Sequence, residues 1–236
     1  MKNSILLTCF HRLKKLCQGS PESVDWLGEE KRTWPLFCLG WVLGGFFLYG
    51  FTIGVWRDPL QGLWAAIKTP WLILATLSGT AAANWMTASL LGARFSFRQS
   101  LAIQLMGYAV MATLLLSMAP ISLLMAWASP ASAGAGKMLG QAIITIFQVL
   151  VIAGAGIASH VRLYHLLSHV CLDKTIARLV FLAWLAENLL LGSHLSWYMR
   201  PFIGNPSIPV EFYCDEALVK GSFYGDLTEK FSRLAH

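Results

Sequence analysis

The stretch WPLFCLGWVLGGFFLYGFTIGVW, residues 34–56, decides the fold class of this chain. It contains no charged residue, and it is longer than the roughly 20 residues that an α-helix needs to cross the hydrocarbon core of a bilayer. Tryptophan stands at both of its ends, a position typical of aromatic residues at the two membrane–water interfaces. These features predict a transmembrane helix.

Four further apolar stretches follow it, at residues 71–91, 99–128, 138–160 and 177–198. Over the whole chain 56% of the residues are hydrophobic and only 13% are charged, whereas about a quarter of the residues in a soluble domain are charged. The sequence therefore predicts an all-α membrane protein, a bundle of about five transmembrane helices with an N-terminal amphipathic segment and a polar C-terminal tail.

Two prolines are expected to shape these helices. Pro70 is predicted to start the second span, after a connector (residues 57–70) in which residues 60–68 form a short helix on the membrane surface. Pro120 is predicted to kink or break the third span, because proline removes a backbone donor and its ring clashes with the preceding turn.

The chain divides into three segments by composition. Residues 1–33 form a cytoplasmic segment, where apolar residues recur at helical spacing among basic ones, as in an amphipathic helix at a membrane surface; a disordered tail is the alternative. Residues 34–199 form the transmembrane bundle. Residues 200–236 form a polar tail outside the membrane.

The distribution of basic residues predicts the orientation. With the N-terminus inside, the inner segments hold eleven Lys or Arg residues and the outer segments hold seven. Because cytoplasmic loops are enriched in these residues, we expect a cytoplasmic N-terminus and a C-terminus on the opposite side of the membrane. Since no dense basic stripe with interleaved aromatic residues is present, the partner that the sequence indicates is the lipid bilayer and not nucleic acid.

Small residues recur at four-residue spacing in two of the predicted spans. The first span carries the pairs Gly40/Gly44 and Gly50/Gly54, and the fourth carries Gly154 and Ala158. Such pairs let a second helix approach closely, so they predict helix packing and nothing more specific.

Glu187 is the only carboxylate inside a predicted span. A charged group at the bilayer centre costs at least about 2.5 kcal/mol, so this residue must face protein, pair with another group or be protonated. At helical spacing His194 and Tyr198 share its face, although Leu191 interrupts the stripe. The stripe is a candidate proton relay, ion site or ligand site. The alternative is an interhelical contact, with Asn84 as the suggested partner.

Asn84 lies deep in the second predicted span. Buried amides in membrane helices usually bond a neighbouring helix, and a role in a pore or ligand site is the alternative.

His165 and His169 are weak candidates for metal ligands, because they are four residues apart and share a helix face. Zinc usually takes three or four ligands, and no Cys or Asp completes a set, so no metal or other cofactor is predicted. Histidines that suit a helix C-terminus are the alternative. The chain also lacks the Walker, GxSxG, HExxH and dinucleotide-binding motifs, so it is predicted not to be an enzyme.

The stretch WYMRPFIGNP, residues 197–206, ends the last span. Trp197 and Tyr198 are expected at the headgroup level, which Arg200 also reaches. Pro201 disfavours helical geometry at the residue before it, so the helix is predicted to end at Arg200. The Gly-Asn-Pro sequence at residues 204–206 is then predicted to turn the chain.

Several stretches occur in an order that resembles a known family. They are LYGFTIGVW (48–56), LQGLWAAIKTPWLILATL (60–77), GARFSFRQSLA (92–102), SMAPISLL (117–124), LSWYMRPFIGNPSIPVEF (195–212) and GSFYGDL (221–227). Over residues 48–227 the chain resembles a family of uncharacterised bacterial multi-span membrane proteins with an RPF-I-G-x-P signature after the last span.

This resemblance implies a helical bundle in the bacterial inner membrane, and it implies no activity. It makes Arg200, Pro201, Phe202 and Gly204 members of the signature, which suggests that the tail docks against the other outer loops. The family tends to be uncharged where this chain has Glu187 and His194, which counts against a family-wide role for Glu187.

Uncharged spans, glycine faces and missing catalytic motifs together predict a non-enzymatic integral membrane protein. We expect a scaffold or accessory subunit of a bacterial envelope membrane complex, whose partners are other subunits or further copies of the chain. The alternatives are a small transporter or channel that uses the Glu187/His194 stripe with Asn84 and, last, an intramembrane enzyme.

Overall fold

The structure, a computed structural model, describes residues 2–27, 33–131, 133–134, 136–204 and 209–213. These residues contain no β-strand and form six α-helices: α1 (Lys2–Gln18), α2 (Thr33–Gly54), α3 (Pro59–Leu90), α4 (Phe97–Ala128), α5 (Lys137–Val170) and α6 (Lys174–Tyr198). Two 3-10 turns, Pro21–Ser23 and Asp25–Leu27, follow α1. The predicted all-α architecture is confirmed for this part of the chain.

Four of the helices, α2, α4, α5 and α6, are long and apolar enough to cross a membrane. The predicted count of five spans is not confirmed, because α3 is not among them. Its C-terminal half carries Thr76, Ser78, Thr80 and Asn84, which lower its mean hydropathy.

The helix α3 is continuous through Pro70, so the prediction of a separate surface helix before that proline is wrong. The helix starts instead at Pro59, after Asp58, whose carboxylate accepts a hydrogen bond from the amide of Leu60 at 2.7 Å. Gly62 on the N-terminal half packs against α2, and this burial keeps the segment helical although Pro70 donates no backbone hydrogen bond. The helix α4 likewise continues through Pro120 without a break.

The bundle is built around α2 and α4. The largest helix interfaces are those of α2 with α3 and with α4, followed by α4 with α5 and α3 with α6. The largest fully buried side chains in this core include Tyr49, Ile103, Leu115 and Trp184. The helices α3, α4, α5 and α6 therefore surround one side of the bundle interior.

Residues 2–18 form a helix, as predicted for an amphipathic N-terminal segment and unlike the disordered alternative. Cys9, Leu13 and Leu16 are buried in the same apolar cluster as the bundle, while Leu7 on the opposite side is exposed. Burial raises the pKa of the Cys9 and Cys17 thiols, so these side chains act as small apolar groups. The helix thus packs on the bundle as well as presenting an apolar surface.

Candidate functional site

The predicted polar stripe on α6 is interrupted in the structure. Glu187 Oε1 accepts a hydrogen bond from the hydroxyl of Thr87 on α3 at 2.6 Å, and Oε2 is buried with no partner among the described residues. Leu191 packs over a glycine of α3. Beyond it, the rings of His194 and Tyr198 meet edge to face with their centroids 4.9 Å apart. An apolar side chain therefore separates the carboxylate from the imidazole.

Asn84 is fully buried and connects three helices. Its Nδ2 donates to Oε1 of Gln104 on α4 at 2.6 Å, and its backbone carbonyl accepts from the indole nitrogen of Trp184 on α6 at 2.6 Å. The suggested contact between Asn84 and Glu187 does not form, because the carboxylate reaches Thr87 instead. Asn84 thus forms hydrogen bonds to two neighbouring helices, α4 and α6.

Further polar side chains join other pairs of helices. The Thr80 hydroxyl donates to Asn188 Oδ1 between α3 and α6 at 2.8 Å. Tyr49 donates to Gln148 between α2 and α5, and the indole of Trp41 donates to the Thr113 hydroxyl between α2 and α4 at 2.9 Å. These bonds hold the bundle in one register, since each polar group is satisfied by one particular partner on the facing helix.

A cavity of about 320 Å³ lies between α3, α4, α5 and α6. Its lining includes Gln104, Tyr108, His160 and Asn188, which come from three different helices. Neither Glu187 nor His194 lines this cavity. The structure therefore brings together polar groups that the sequence analysis did not single out. Asn84, which was predicted, lies next to this set through its bond to Gln104.

The tail signature lies on the first turns of α3 and α5. Gln61 Nε2 on α3 donates to the backbone carbonyls of Pro201 at 3.1 Å and Phe202 at 3.0 Å. Gln141 Nε2 on α5 donates to the carbonyl of Gly204 at 2.9 Å. Gly204 has a φ of +83°, which other residues rarely adopt, and a Cβ there would lie 3.3 Å from Gln61. The docking surface of the signature is therefore formed by two helix starts.

Lys68 of α3 is fully buried beneath this tail. Its Nζ donates to the carbonyls of Pro201, at 3.1 Å, and Phe212. It also lies over the rings of Phe202, Phe212 and Tyr213, at 5.9, 4.7 and 5.3 Å from their centroids. Carbonyl oxygens and aromatic faces both stabilise an ammonium group, so Lys68 ties the tail to α3. Lys68 was not predicted as a site residue; its signal is a lone lysine in the apolar run LWAAIKTPW, residues 63–71.

The side chain of Arg200 forms none of the hydrogen bonds described above between the tail and the helices α3 and α5. Its guanidinium carbon lies 3.4 Å from the centroid of the Trp197 ring, near the end of α6, and its Nε is buried without a partner among the described residues. The helix α6 ends at Tyr198, two residues before the predicted end. The predicted turn at residues 204–206 falls partly outside the described residues.

The two glycine pairs of α2 have different surroundings. A Cβ added at Gly50 would lie 2.8 Å from the carbonyl oxygen of Ala65, and one at Gly54 would lie 2.5 Å from that of Gln61. These glycines allow the close approach of α3. Among the residues that the structure describes, no atom lies within 4 Å of a Cβ added at Gly40 or Gly44.

The small-residue face of α5 is also open. A Cβ added at Gly154 would meet no atom within 4 Å, and Ala158 is exposed. This face is therefore not used for packing among the described residues.

His165 and His169 lie near the end of α5. Nδ1 of His169 is 2.7 Å from the backbone carbonyl of His165, so this ring bonds its own helix. Across the residues that the structure describes, no three His, Cys, Asp or Glu side chains come together in a group suited to a metal ion.

Comparisons of the chain with protein-family models, with curated proteins and with solved structures find no match. The resemblance to the RPF-I-G-x-P family thus rests on its quoted motifs, and a function has to be argued from the geometry.

Proposed function

We propose that this chain is a non-enzymatic scaffold or accessory subunit of a bacterial inner-membrane complex, and that a transmembrane helix of a partner subunit docks on α2. The observation that carries the proposal is the exposed stripe of α2 formed by Leu36, Gly40, Gly44 and Phe47, which we call the α2 stripe.

The helix α2 itself shows what its glycine pairs do when a helix packs on them. At Gly50 and Gly54 the backbone of α3 comes so close that a Cβ would collide with it. Gly40 and Gly44 have the same spacing, and no atom of the described residues lies within 4 Å of a Cβ added at either one. Small residues drive helix association in membranes because they permit extensive van der Waals packing between backbones. The open pair supports docking of a helix that belongs to another chain.

The flanking side chains support the same proposal. Leu36 is 63% exposed and Phe47 is 40% exposed, so large apolar groups border the glycines on both sides. A docked helix would fill the glycine groove and contact these borders.

The polar groups inside the bundle favour a structural role over transport. Glu187 accepts from Thr87 through Oε1, and Asn84 donates to Gln104 through Nδ2, so each forms one bond to a neighbouring helix. Leu191 stands between the carboxylate and His194, where a transport path along α6 would need a polar group. The predicted cytoplasmic N-terminus places α1 on the inner side, where its basic residues suit an anionic leaflet.

Site-directed photocrosslinking in native membranes tests this proposal. A photoreactive amino acid at Leu36 or Phe47 is expected to give one stoichiometric adduct, whose peptide map places the crosslink in a transmembrane helix of a different protein. The matched control carries the same residue at Leu182, which is 57% exposed on α6. This control is expected to crosslink to lipid only.

A second variant tests the role of the glycines. Gly40→Ile with Gly44→Ile should remove the adduct while the thermal stability of the purified chain stays unchanged, because a Cβ added at either glycine meets no atom of the described residues within 4 Å. An adduct between two copies of this chain, an equal adduct at Leu182, or an adduct that survives the double substitution would each contradict the proposal.

A further inference from the structure

The cavity between α3, α4, α5 and α6 carries polar groups that the bundle does not use. Among the described residues the Tyr108 hydroxyl has no hydrogen-bond partner, and Asn188 makes its side-chain bond only through Oδ1, with Thr80. Its Nδ2 is therefore free to donate. Gln104 Nε2 makes only two long contacts, of 3.4 Å, with Ser100. Polar groups inside a membrane protein that lack a partner are unfavourable unless a ligand or water satisfies them.

His160 adds an acceptor to this set. Its Nδ1 lies 2.8 Å from the backbone carbonyl of Gly156, a group that only accepts, so Nδ1 carries the proton. In the neutral ring Nε2 is then an acceptor. The cavity thus offers donors from Tyr108 and Asn188 and an acceptor from His160, which fits a group that both accepts and donates, such as a hydroxyl, or a carbonyl next to one.

With the His160 ring neutral, the cavity lining carries no formal charge. None of the described residues that line it is Asp, Glu, Lys or Arg. A phosphate or ammonium head would have to be buried there without an opposite charge, which is costly. The volume of about 320 Å³ lies at the lower end of the range for small-molecule sites, so it suits a single ring or a glycerol-sized group.

An apolar groove continues from the cavity towards the bilayer. The groove has a volume of about 620 Å³ and lies between α5 and α6, where Ile157 and Leu185 line it. Met111, His160 and Leu189 line both the groove and the cavity, so the two spaces are adjacent. Ile157 is 68% exposed, which places the groove on the outer surface of the bundle.

We propose that the cavity and groove together bind a neutral lipid, with a head that carries hydroxyl or carbonyl oxygens in the cavity and a hydrocarbon chain in the groove. Isoprenoid quinones and diacylglycerols share this chemistry. The proposal is independent of partner docking on α2, because the groove lies on α5 and α6.

Lipid titration of the purified chain, followed by native mass spectrometry, tests the proposal. The probes are a quinone with a ten-carbon side chain, dioleoylglycerol and, as the charged comparison, dioleoylphosphatidylglycerol. We expect saturable one-to-one binding of a neutral probe, and the neutral probe that binds more tightly identifies the head. Tighter binding of the phosphatidylglycerol, or no saturable binding of either neutral probe, would overturn the proposal.

A variant with a matched control locates the head. Tyr108→Phe removes a hydroxyl that has no partner among the described residues, so the fold should be unchanged while the neutral lipid binds roughly 3- to 10-fold more weakly. Tyr164→Phe makes the same change at a residue that lines only the groove, and it should leave the affinity unchanged. Equal effects of the two variants would contradict the placement of the head.

Gly156→Leu tests the chain in the groove. A Cβ added at Gly156 meets no atom of the described part of the chain within 4 Å, so the larger side chain should fill the groove without disturbing the bundle. Binding of the long-chain probe should fall, while a quinone without the side chain should bind as before. Unchanged binding of the long-chain probe would show that the groove does not hold the chain.

Discussion

Replacing Lys68 by methionine should release the C-terminal tail while leaving the bundle folded. The substitution keeps an unbranched apolar side chain as long as the methylene stem of lysine, and it removes the ammonium group that binds the carbonyls of Pro201 and Phe212. It also removes the contacts of that group with the rings of Phe202, Phe212 and Tyr213. Gln61 and Gln141 keep their own bonds to the tail, so we expect partial release.

The magnitude follows from the opposing contributions of the buried ammonium. A hydrogen bond to a charged group contributes about 1.5–3 kcal/mol, and Lys68 makes two of them. A cation above an aromatic ring adds about 0.5–2 kcal/mol. Burial of the fully covered ammonium costs several kcal/mol, which offsets much of this sum. We therefore expect a net loss of about 1–2 kcal/mol, equivalent to a roughly 5- to 30-fold larger population of released tail.

Limited digestion with chymotrypsin in lipid nanodiscs measures that population. The protease cleaves after aromatic residues, so cleavage after Phe202 and Phe212 requires these rings to leave Lys68. When opening and closing are fast, the cleavage rate follows the open population and should rise by the same factor. Mass spectrometry of the fragments assigns each cut to its residue.

The control is Lys137→Met, at the first residue of α5, a lysine whose side chain has no partner among the described residues. It should leave both cleavage rates unchanged. Wild-type rates in Lys68→Met would refute the role of this lysine in holding the tail, and an equal increase in Lys137→Met would show that the effect is unspecific. Thermal unfolding of each variant reports whether the bundle is intact.

Two further predictions concern packing within the bundle. Gly54→Ala should lower the free energy of unfolding by about 1–3 kcal/mol, since its Cβ would lie 2.5 Å from the carbonyl oxygen of Gln61. The control Gly40→Ala should have no such effect. Denaturation in micelles compares the two variants, and equal stabilities would contradict the close contact between α2 and α3. In a double-mutant cycle of Asn84→Leu and Gln104→Leu, we expect a coupling free energy of about 0.6–1.7 kcal/mol, because the two side chains are hydrogen-bonded at 2.6 Å. Strictly additive losses of unfolding free energy would show that this bond does not stabilise the bundle.

The helices could be predicted from the sequence where apolar runs are long and uninterrupted. The spans predicted at residues 99–128, 138–160 and 177–198 all fall within α4, α5 and α6, respectively. The prediction failed at Pro70, because local preference for a helix start was outweighed by the packing of Gly62 and its neighbours against α2. It also did not establish the number of spans, since α3 mixes apolar and polar residues.

The candidate sites were predicted less well, because they depend on which helices are neighbours. The spacing of Glu187, His194 and Tyr198 predicts one shared helix face, but it contains no information on the α3 side chains opposite that face. Thr87 is therefore a partner that only the packing of α3 on α6 identifies. The same holds for Lys68, whose partners lie more than a hundred residues away along the chain.

By itself, the sequence determined the class of this protein. The length of the hydrophobic runs and the scarcity of charge are enough to predict apolar helices, because the free-energy cost of burying backbone and charged groups in lipid depends on local composition. Only the tertiary structure decided which glycine pair is filled and which is open, where the tail docks, and which polar groups surround the cavity. These features arise from contacts between residues distant in sequence, whose distances no local pattern encodes.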